Sequence, residues 1–206
     1  EYEKENWPIV KGKSGHYRDD PNILTAYAAM ISRFDHGIGE ILKKLKAKGI
    51  ADNTLIIFTN DNGHELPSNF FSSGSEFSGK KRSVTEGGIR VPTVVVWPQV
   101  VKAGSKIDTS LAFWDIMPTL CEIAGTTPSG PTDGISFLPA LKGDIMSQKE
   151  HKYLYWEFNE KKGPLQALRF KNYKAIRSWD KKNKKMGARS GYSFGKKGKY
   201  RKKYYF

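Results

Sequence analysis

The sequence of 206 residues predicts an α/β fold, in which part of a mixed or parallel-sheet sandwich with flanking helices precedes a small C-terminal antiparallel sheet. One long stretch carries apolar residues at spacings of three and four, which is typical of a helix. Two continuous apolar runs of strand length follow, "NTLIIFT" and "VPTVVVWP". Towards the C-terminus, short β-prone runs alternate with turn residues, as in an antiparallel meander.

The first helix is predicted within "RDDPNILTAYAAMISRFDHGIGEILKKLKAKGI". We expect Asp20 to cap this helix, Pro21 to take its first position and Gly49 to end it. A second helix is predicted within "AFWDIMPTLCEIAG", with Asp115 near its start. That helix contains Cys121, the single cysteine, which excludes an internal disulfide and is expected to be a small buried hydrophobic residue.

The sequence divides into three parts by composition. Residues 1–145 carry the predicted helices and apolar runs, 146–180 form the predicted antiparallel subdomain, and 181–206 form a basic tail. The tail holds eleven of the 35 Lys and Arg residues and no Asp or Glu, which leaves the rest with a net charge of only +3. Because the tail has no helical period and few apolar residues besides aromatics, we expect it to be disordered.

The charge distribution and the terminus also limit the class of protein. A nearly neutral body disfavours nucleic acid as the partner, although the tail is either a genuine basic arm for a polyanion or the product of a shifted reading frame. No run approaches about 18 apolar residues, so we predict no membrane span. The first residue is not Met, and we expect the chain to be a piece of a longer protein.

A polar loop begins at Asp61-Asn62-Gly63-His64, directly after the first apolar run. Sites in open α/β sheets form outside the carboxyl ends of strands. The side-chain oxygens of Asp61 and Asn62 suit Ca²⁺ or Mg²⁺, and Gly63 allows a sharp turn close to a ligand. Taken alone, Asp-Asn-Gly is also typical of a simple turn, which is the more common interpretation of that tripeptide.

Three cations, Lys80, Lys81 and Arg82, lie at the far end of the same loop, before "TEGGIRVP". A lysine beside a divalent cation suits an anionic ester, because the cation polarises the ester oxygens while the ammonium neutralises their charge. The alternative is a loop of solvated cations. The residues by themselves leave both interpretations open.

Four segments in the same order resemble the sulfatase family, within the alkaline-phosphatase-like superfamily. They are the helix, turn and strand that lead to Asp-Asn-Gly, then "GKKRSVTEGGIRVPTVVVWP", "WDIMPTLCEIAG" and "DGISFLPALKG". The strands "YWEF" and "QALRFKNYKAIR" extend the resemblance to about residue 178, since such enzymes end in a small antiparallel sheet. The resemblance covers the C-terminal portion of an arylsulfatase-type sulfuric ester hydrolase.

The resemblance implies roles for individual loop residues. Asp61 and Asn62 match two metal ligands of the family, whose metal is usually Ca²⁺, with Mg²⁺ as the alternative. Lys81 matches the lysine that contacts the sulfate group, and the neighbouring Lys80 fits the spacing to Glu-Gly-Gly less well. His64 stands where some members place a substrate-facing residue, with a surface histidine as the alternative.

Other residues are expected to support the loop or to lie apart from it. Glu86, Gly87, Gly88 and Arg90 are expected to organise the backbone, and Glu86 is also expected to orient the lysine. His16 and His36 do not stand in the contexts of the family's histidines, and His151 is expected at the surface.

Family features that this sequence lacks limit the function of the chain alone. It contains no Cys/Ser-x-Pro/Ala-x-Arg motif, from which sulfatases make their formylglycine nucleophile. It also lacks the family's paired N-terminal aspartates that complete the metal site. We therefore expect the formylglycine in a missing N-terminal part, and no turnover by residues 1–206 alone.

The resemblance implies a sulfated small molecule or carbohydrate as substrate and a periplasmic, extracellular or lysosomal location. Two alternatives stay open: a phosphoryl-ester hydrolase of the same superfamily, and a non-catalytic polyanion-binding protein.

Overall fold

The computed structural model describes residues 2–11, 20–65, 68–71, 76–160, 163–180, 185–194 and 200–204. His16 lies outside these residues. The chain forms two compact units, Glu1–Thr54 and Leu55–Phe206.

Helix α1 spans Ile23–Ala47 and dominates the first unit. Its N-cap is Asn22, whose side chain accepts a hydrogen bond from the Leu24 amide at 3.2 Å. The prediction that Asp20 caps the helix is therefore wrong. Asp20 instead accepts a hydrogen bond from the Asn22 amide at 2.8 Å, which holds the cap residue in place. The prediction for Pro21 is also wrong, because the helix begins at Ile23 and Pro21 precedes the cap.

The end of α1 is as predicted, because Gly49 follows the helix with a φ of 68° that suits glycine. The periodicity correctly predicted the helix, but only Leu24 is buried along it. Its exposed large apolar residues are Met30, Ile31, Phe34, Ile41 and Leu42. Among the residues that the structure describes, no helix is both long enough and apolar enough to cross a bilayer.

The helices of the second unit are short. They are α2 (Ser68–Phe71), α3 (Glu86–Ile89), α4 (Ile116–Ile123) and α5 (Leu138–Leu141). A 3₁₀ turn leads into α4 and contains Asp115, in agreement with the predicted start. Cys121 on α4 is only half-buried, which differs from the expected burial because it lies towards the exposed side of a short helix.

The two apolar runs form an antiparallel pair. Strand β1 (Ile56–Thr59) pairs with β2 (Thr93–Val96), with Ile56 opposite Val96. The prediction of strands buried on both faces is wrong for this structure, since β1 is half-buried and β2 mostly exposed. In the described part of the chain these strands make a sheet of their own, so each has an open edge.

The C-terminal strands form a five-stranded sheet in chain order, each strand antiparallel to the next. They are β3 (Leu154–Glu160), β4 (Gly163–Phe170), β5 (Tyr173–Asp180), β6 (Lys185–Phe194) and β7 (Tyr200–Tyr204). The first three confirm the predicted antiparallel sheet.

Strands β6 and β7 differ from the disorder expected for residues 181–206 at the positions they occupy. Composition predicts whether a segment can bury apolar surface. These strands instead pair through backbone groups, β6 along the edge of β5 and β7 along the edge of β6. The remaining tail residues lie outside the described part.

One face of this sheet forms a small core. Trp156, Ala167 and Ile176 lie opposite one another on β3, β4 and β5. Val84, from the segment just before α3, packs against Ala167 and Ile176 and is 3% exposed. The sheet therefore supports the segment that carries the Glu-Gly-Gly motif.

Candidate functional site

The Asp-Asn-Gly tripeptide follows the end of β1, as the sequence predicted. The side chain of Asp61 is exposed and that of Asn62 is half-buried. The side-chain Nδ2 of Asn62 donates a hydrogen bond to Asp61 Oδ1 at 2.5 Å. The two side chains thus lie together at the surface, where their oxygens are accessible to a cation.

Two backbone hydrogen bonds join residues 61–64 to the far end of the loop. The Gly63 amide donates to the Gly88 carbonyl at 2.9 Å, and the Lys81 amide donates to the His64 carbonyl at 2.8 Å. His64 and Lys81 are both half-buried. The structure therefore brings residues 61–64 beside residues 80–88, although some 20 residues of sequence separate them.

Glycine is required where these segments cross. A Cβ on Gly63 would collide with the carbonyl oxygen of Gly87, and a Cβ on Gly87 would collide with the carbonyl oxygen of Gly79. The Gly87 amide also donates to the Ser78 carbonyl at 2.8 Å. Three stretches of backbone pass within contact of each other here, which only residues without side chains permit.

The cations that flank Lys81 both contact Glu65. Lys80 Nζ donates to the Glu65 carbonyl at 3.2 Å, and Arg82 Nη1 lies 2.9 Å from both carboxylate oxygens of Glu65. Arg82 also has a φ of 68°, in the left-handed region that few residues with side chains adopt. The interpretation of the three residues as a uniformly solvated cationic loop is therefore incomplete, since two of them are tied to one acidic residue.

Glu86 is buried at 1% exposure. The lysine that it binds is Lys174 on β5, and not a lysine of its own loop as expected. Its Oε1 accepts a hydrogen bond from Lys174 Nζ on β5 at 2.7 Å, while Arg90 Nη1 lies 3.8 Å from Oε2. No residue that the structure describes forms a hydrogen bond with Oε2. Burial lowers the pKa of Lys174, and the charge of Glu86 opposes that shift.

Sequence reasoning missed a second buried cluster, which is formed around Asp115 and His151. Asp115 Oδ1 accepts hydrogen bonds from His151 Nε2 at 2.8 Å and from the Ile135 amide at 2.9 Å. Its Oδ2 accepts one from the Ala112 amide at 2.7 Å. The prediction of His151 at the surface is wrong, since its side chain is 11% exposed and its ring packs edge-on against Trp114. Both carboxylate oxygens of Asp115 accept hydrogen bonds from groups of the protein itself, so the cluster is structural.

The residues present match a Ca²⁺ site only in part. The oxygens of Asp61 and Asn62 have the right chemistry and exposure, but Ca²⁺ takes six to eight oxygen ligands. Within the described ranges, no group of three or more His, Cys, Asp or Glu could hold a metal ion. His36 is exposed on α1.

Two family models match the chain. The sulfatase model matches residues 2–126, and the model for the C-terminal part of N-sulphoglucosamine sulphohydrolase matches residues 77–186. The chain therefore belongs to the sulfatase family.

Curated relatives agree with this assignment. The chain is 33% identical to the steryl-sulfatase of Mus musculus over 73% of its own length and 25% of that protein. It is 30% identical to the ulvan-active sulfatase of Formosa agariphila over 87% of its own length and 32% of that protein. The chain thus spans about a quarter to a third of the length of these relatives.

A solved structure shares the fold. Ps i-CgsB, crystallised in complex with k-i-k-neocarrahexaose, superposes with a TM-score of 0.64 and 29% identity over 80% of this chain and 36% of that one. The mixed α/β architecture of this chain is thus shared with that structure.

Proposed function

We propose that this chain supplies one wall of a sulfate-ester hydrolase site, formed by the loop at residues 61–64 and the segment 80–88. One observation carries the proposal. The hydrogen bonds from Gly63 to Gly88 and from Lys81 to His64 join two stretches of backbone. One carries the side-chain oxygens of Asp61 and Asn62, and the other carries Lys81. An anionic ester needs that combination of groups.

In this proposal Asp61 and Asn62 contribute two oxygen ligands to a Ca²⁺ ion, with Mg²⁺ as the alternative. The bound cation would supply polarisation of the sulfate oxygens. Lys81 contacts the sulfate through its ammonium, and His64 offers a ring nitrogen to the same group. Both are half-buried, where a charge–charge contact with sulfate is stronger than in bulk water.

The nucleophile of the proposed reaction is a formylglycine supplied by residues outside this sequence. The sequence has no motif for making it, and two ligands leave a Ca²⁺ shell well short of complete. We predict that residues 1–206 alone do not hydrolyse an aryl sulfate such as 4-nitrocatechol sulfate. A rate above that of buffer, absent from the Lys81→Met variant, would contradict this prediction.

The substrate class of the whole protein is proposed to be a sulfated carbohydrate or a sulfated small molecule. Relatives at about 30% identity are named for ulvan and steryl substrates, and Ps i-CgsB was solved with a neocarrahexaose. A periplasmic, extracellular or lysosomal location for the whole protein belongs to the same proposal.

The binding part of the proposal is testable on the chain itself by NMR. We expect sodium sulfate to shift amide signals of residues 63–65 and 80–88, and CaCl₂ to shift those of residues 60–63. Lys81→Met should abolish the first response and Asp61→Asn the second. Lys102→Met and Asp52→Asn are the matched controls, because both wild-type side chains are exposed elsewhere.

Responses that are equal in the test and control variants would refute the assignment of these residues. Inorganic phosphate in place of sulfate tests the alternative of a phosphoryl-ester hydrolase, which predicts a stronger response to phosphate.

A further inference from the structure

The buried pair Lys174–Glu86 joins two distant parts of the second unit. The residues are 88 positions apart in sequence, their atoms lie 2.7 Å apart, and their side chains are 0% and 1% exposed. Lys174 Nζ also lies 5.2 Å from the centre of the Trp156 ring, a cation–π contact. Two charges are seldom removed from water together unless geometry is good, so this pair is a specific link.

Glu86 begins α3, whose backbone holds both loop segments. The Gly87 amide donates to the Ser78 carbonyl, and the Gly88 carbonyl accepts from the Gly63 amide at 2.9 Å. Displacement of α3 would therefore shift the segment that includes Lys81 and the turn that includes Asp61 and Asn62 at the same time.

The ion pair between Lys174 and Glu86 adds a directional bond to a contact that is otherwise apolar, between the segment around α3 and the sheet. Val84 packs against Ala167 and Ile176 of the sheet, and apolar attraction of this kind has no preferred direction. A charge-assisted hydrogen bond fixes both distance and angle. The ion pair with Lys174 is thus a directional contact between α3 and the sheet.

We propose that Lys174 is a positioning residue for the sulfate-binding loop, which acts through its buried ion pair with Glu86. The inference rests on the proposed function in naming sulfate as the ligand. The part that concerns loop position stands on the contacts alone. No direct contact between Lys174 and the substrate is involved.

The experiment compares four forms of the chain: wild type, Lys174→Met, the double variant Glu86→Met/Lys174→Met, and Ile176→Ala. Removal of one buried partner strands the other, so Lys174→Met is expected to lose much global stability. The double variant removes both charges, so it should fold with an unfolding midpoint near that of wild type. Ile176→Ala is the matched control, because it weakens the same sheet face without touching the ion pair.

The readouts are hydrogen–deuterium exchange in peptides covering residues 60–65 and 78–90, sulfate affinity, and urea unfolding. In the double variant we expect exchange at these peptides to rise about tenfold or more while exchange in β3–β5 stays near wild type. Sulfate affinity should fall in parallel. In Ile176→Ala, exchange should rise in the sheet and the loop together.

Loop exchange in the double variant equal to that of wild type, or raised only in step with the sheet as in Ile176→Ala, would overturn the inference. This result is separable from the proposed function. If the wild-type chain does not bind sulfate, the function fails, while the exchange measurement still decides whether Lys174 positions the loop.

Discussion

Gly63 lies where the two halves of the candidate site cross, and a hydrogen atom is the only side chain that fits. Its backbone donates to Gly88, and a Cβ would meet the carbonyl oxygen of Gly87. Backbone cannot move aside as a flexible side chain does, so a methyl group there forces the strand end and α3 apart.

We therefore predict that Gly63→Ala destabilises the chain by about 1–3 kcal/mol, as overpacking does in cores. Gly39→Ala is the control, because a Cβ there has nothing within 4 Å and the residue lies inside α1. That change should stabilise the helix by roughly 0.5–1 kcal/mol. Urea unfolding measures both, and a Gly63→Ala variant as stable as wild type would show that the crossing is looser than described.

The burial of Glu86 against Lys174 could not be predicted from the sequence. In sequence, a glutamate next to two glycines is a charged turn residue, and Lys174 is one of 35 basic residues. Only the fold shows that each neutralises the other at a buried position. The same holds for His151 and Asp115, which lie 36 residues apart.

At the scale of the element, the outer face of the β3–β4 hairpin carries a hydrogen-bonded group of three side chains. Tyr155 Oη donates to Glu157 Oε2 at 2.6 Å, and Gln166 Nε2 donates to the same oxygen at 3.0 Å. The bond from Tyr155 lowers the pKa of Glu157, and it raises the pKa of Tyr155 itself. The pairing favours the ionised glutamate and the neutral tyrosine.

The sign of the pH dependence follows from these directions. Since the folded pKa of Glu157 is below its ordinary value of 4.5, its contribution to stability is present above that pH and is lost as the pH falls through the folded pKa. We predict that Tyr155→Phe moves the pKa of Glu157 upward towards 4.5, with the bond from Gln166 retaining part of the shift. Carboxyl-detected NMR titration measures this.

The control for that titration is Tyr153→Phe, because Tyr153 is an exposed tyrosine just before β3. An unchanged pKa of Glu157 in Tyr155→Phe would mean that the hydrogen bond does not persist in solution.

At the scale of the whole molecule, charge is the most uneven property. The formal net charge is +14, and eleven of the basic residues fall within 181–206. This distribution supports the alternative of polyanion binding, because clustered cations release counterions when they bind a polyanion.

We predict that the triple variant Arg201→Gln, Lys202→Gln, Lys203→Gln reduces the slope of log affinity for a heparin-like chain against log salt by about 2–3. The matched control is Lys44→Gln, Lys46→Gln, Lys48→Gln, which removes the same number of charges near the end of α1. Affinity chromatography at several salt concentrations measures both. Equal slopes in the two variants would exclude a special role for the tail.

Much of the fold could be predicted from the sequence because the determining signals are local. The 3.6-residue period of α1, the apolar runs of β1 and β2, and the turn residues between β3, β4 and β5 all lie within their own segments. The candidate site residues, from Asp61 to Lys81, lie in one loop between two recognisable motifs. The family resemblance of those motifs was therefore enough to identify them.

Only the tertiary structure decided how these segments support one another. The sequence by itself determined the family, the order of the elements and the loop that holds Asp61, Asn62, His64 and Lys81. The contact of that loop with α3 and the burial of Lys174 against Glu86 depend on distant segments meeting. The physical reason is that a hydrophobic period or a turn is encoded by neighbours. In contrast, a buried ion pair is encoded by two residues that each look solvent-exposed until the chain has folded.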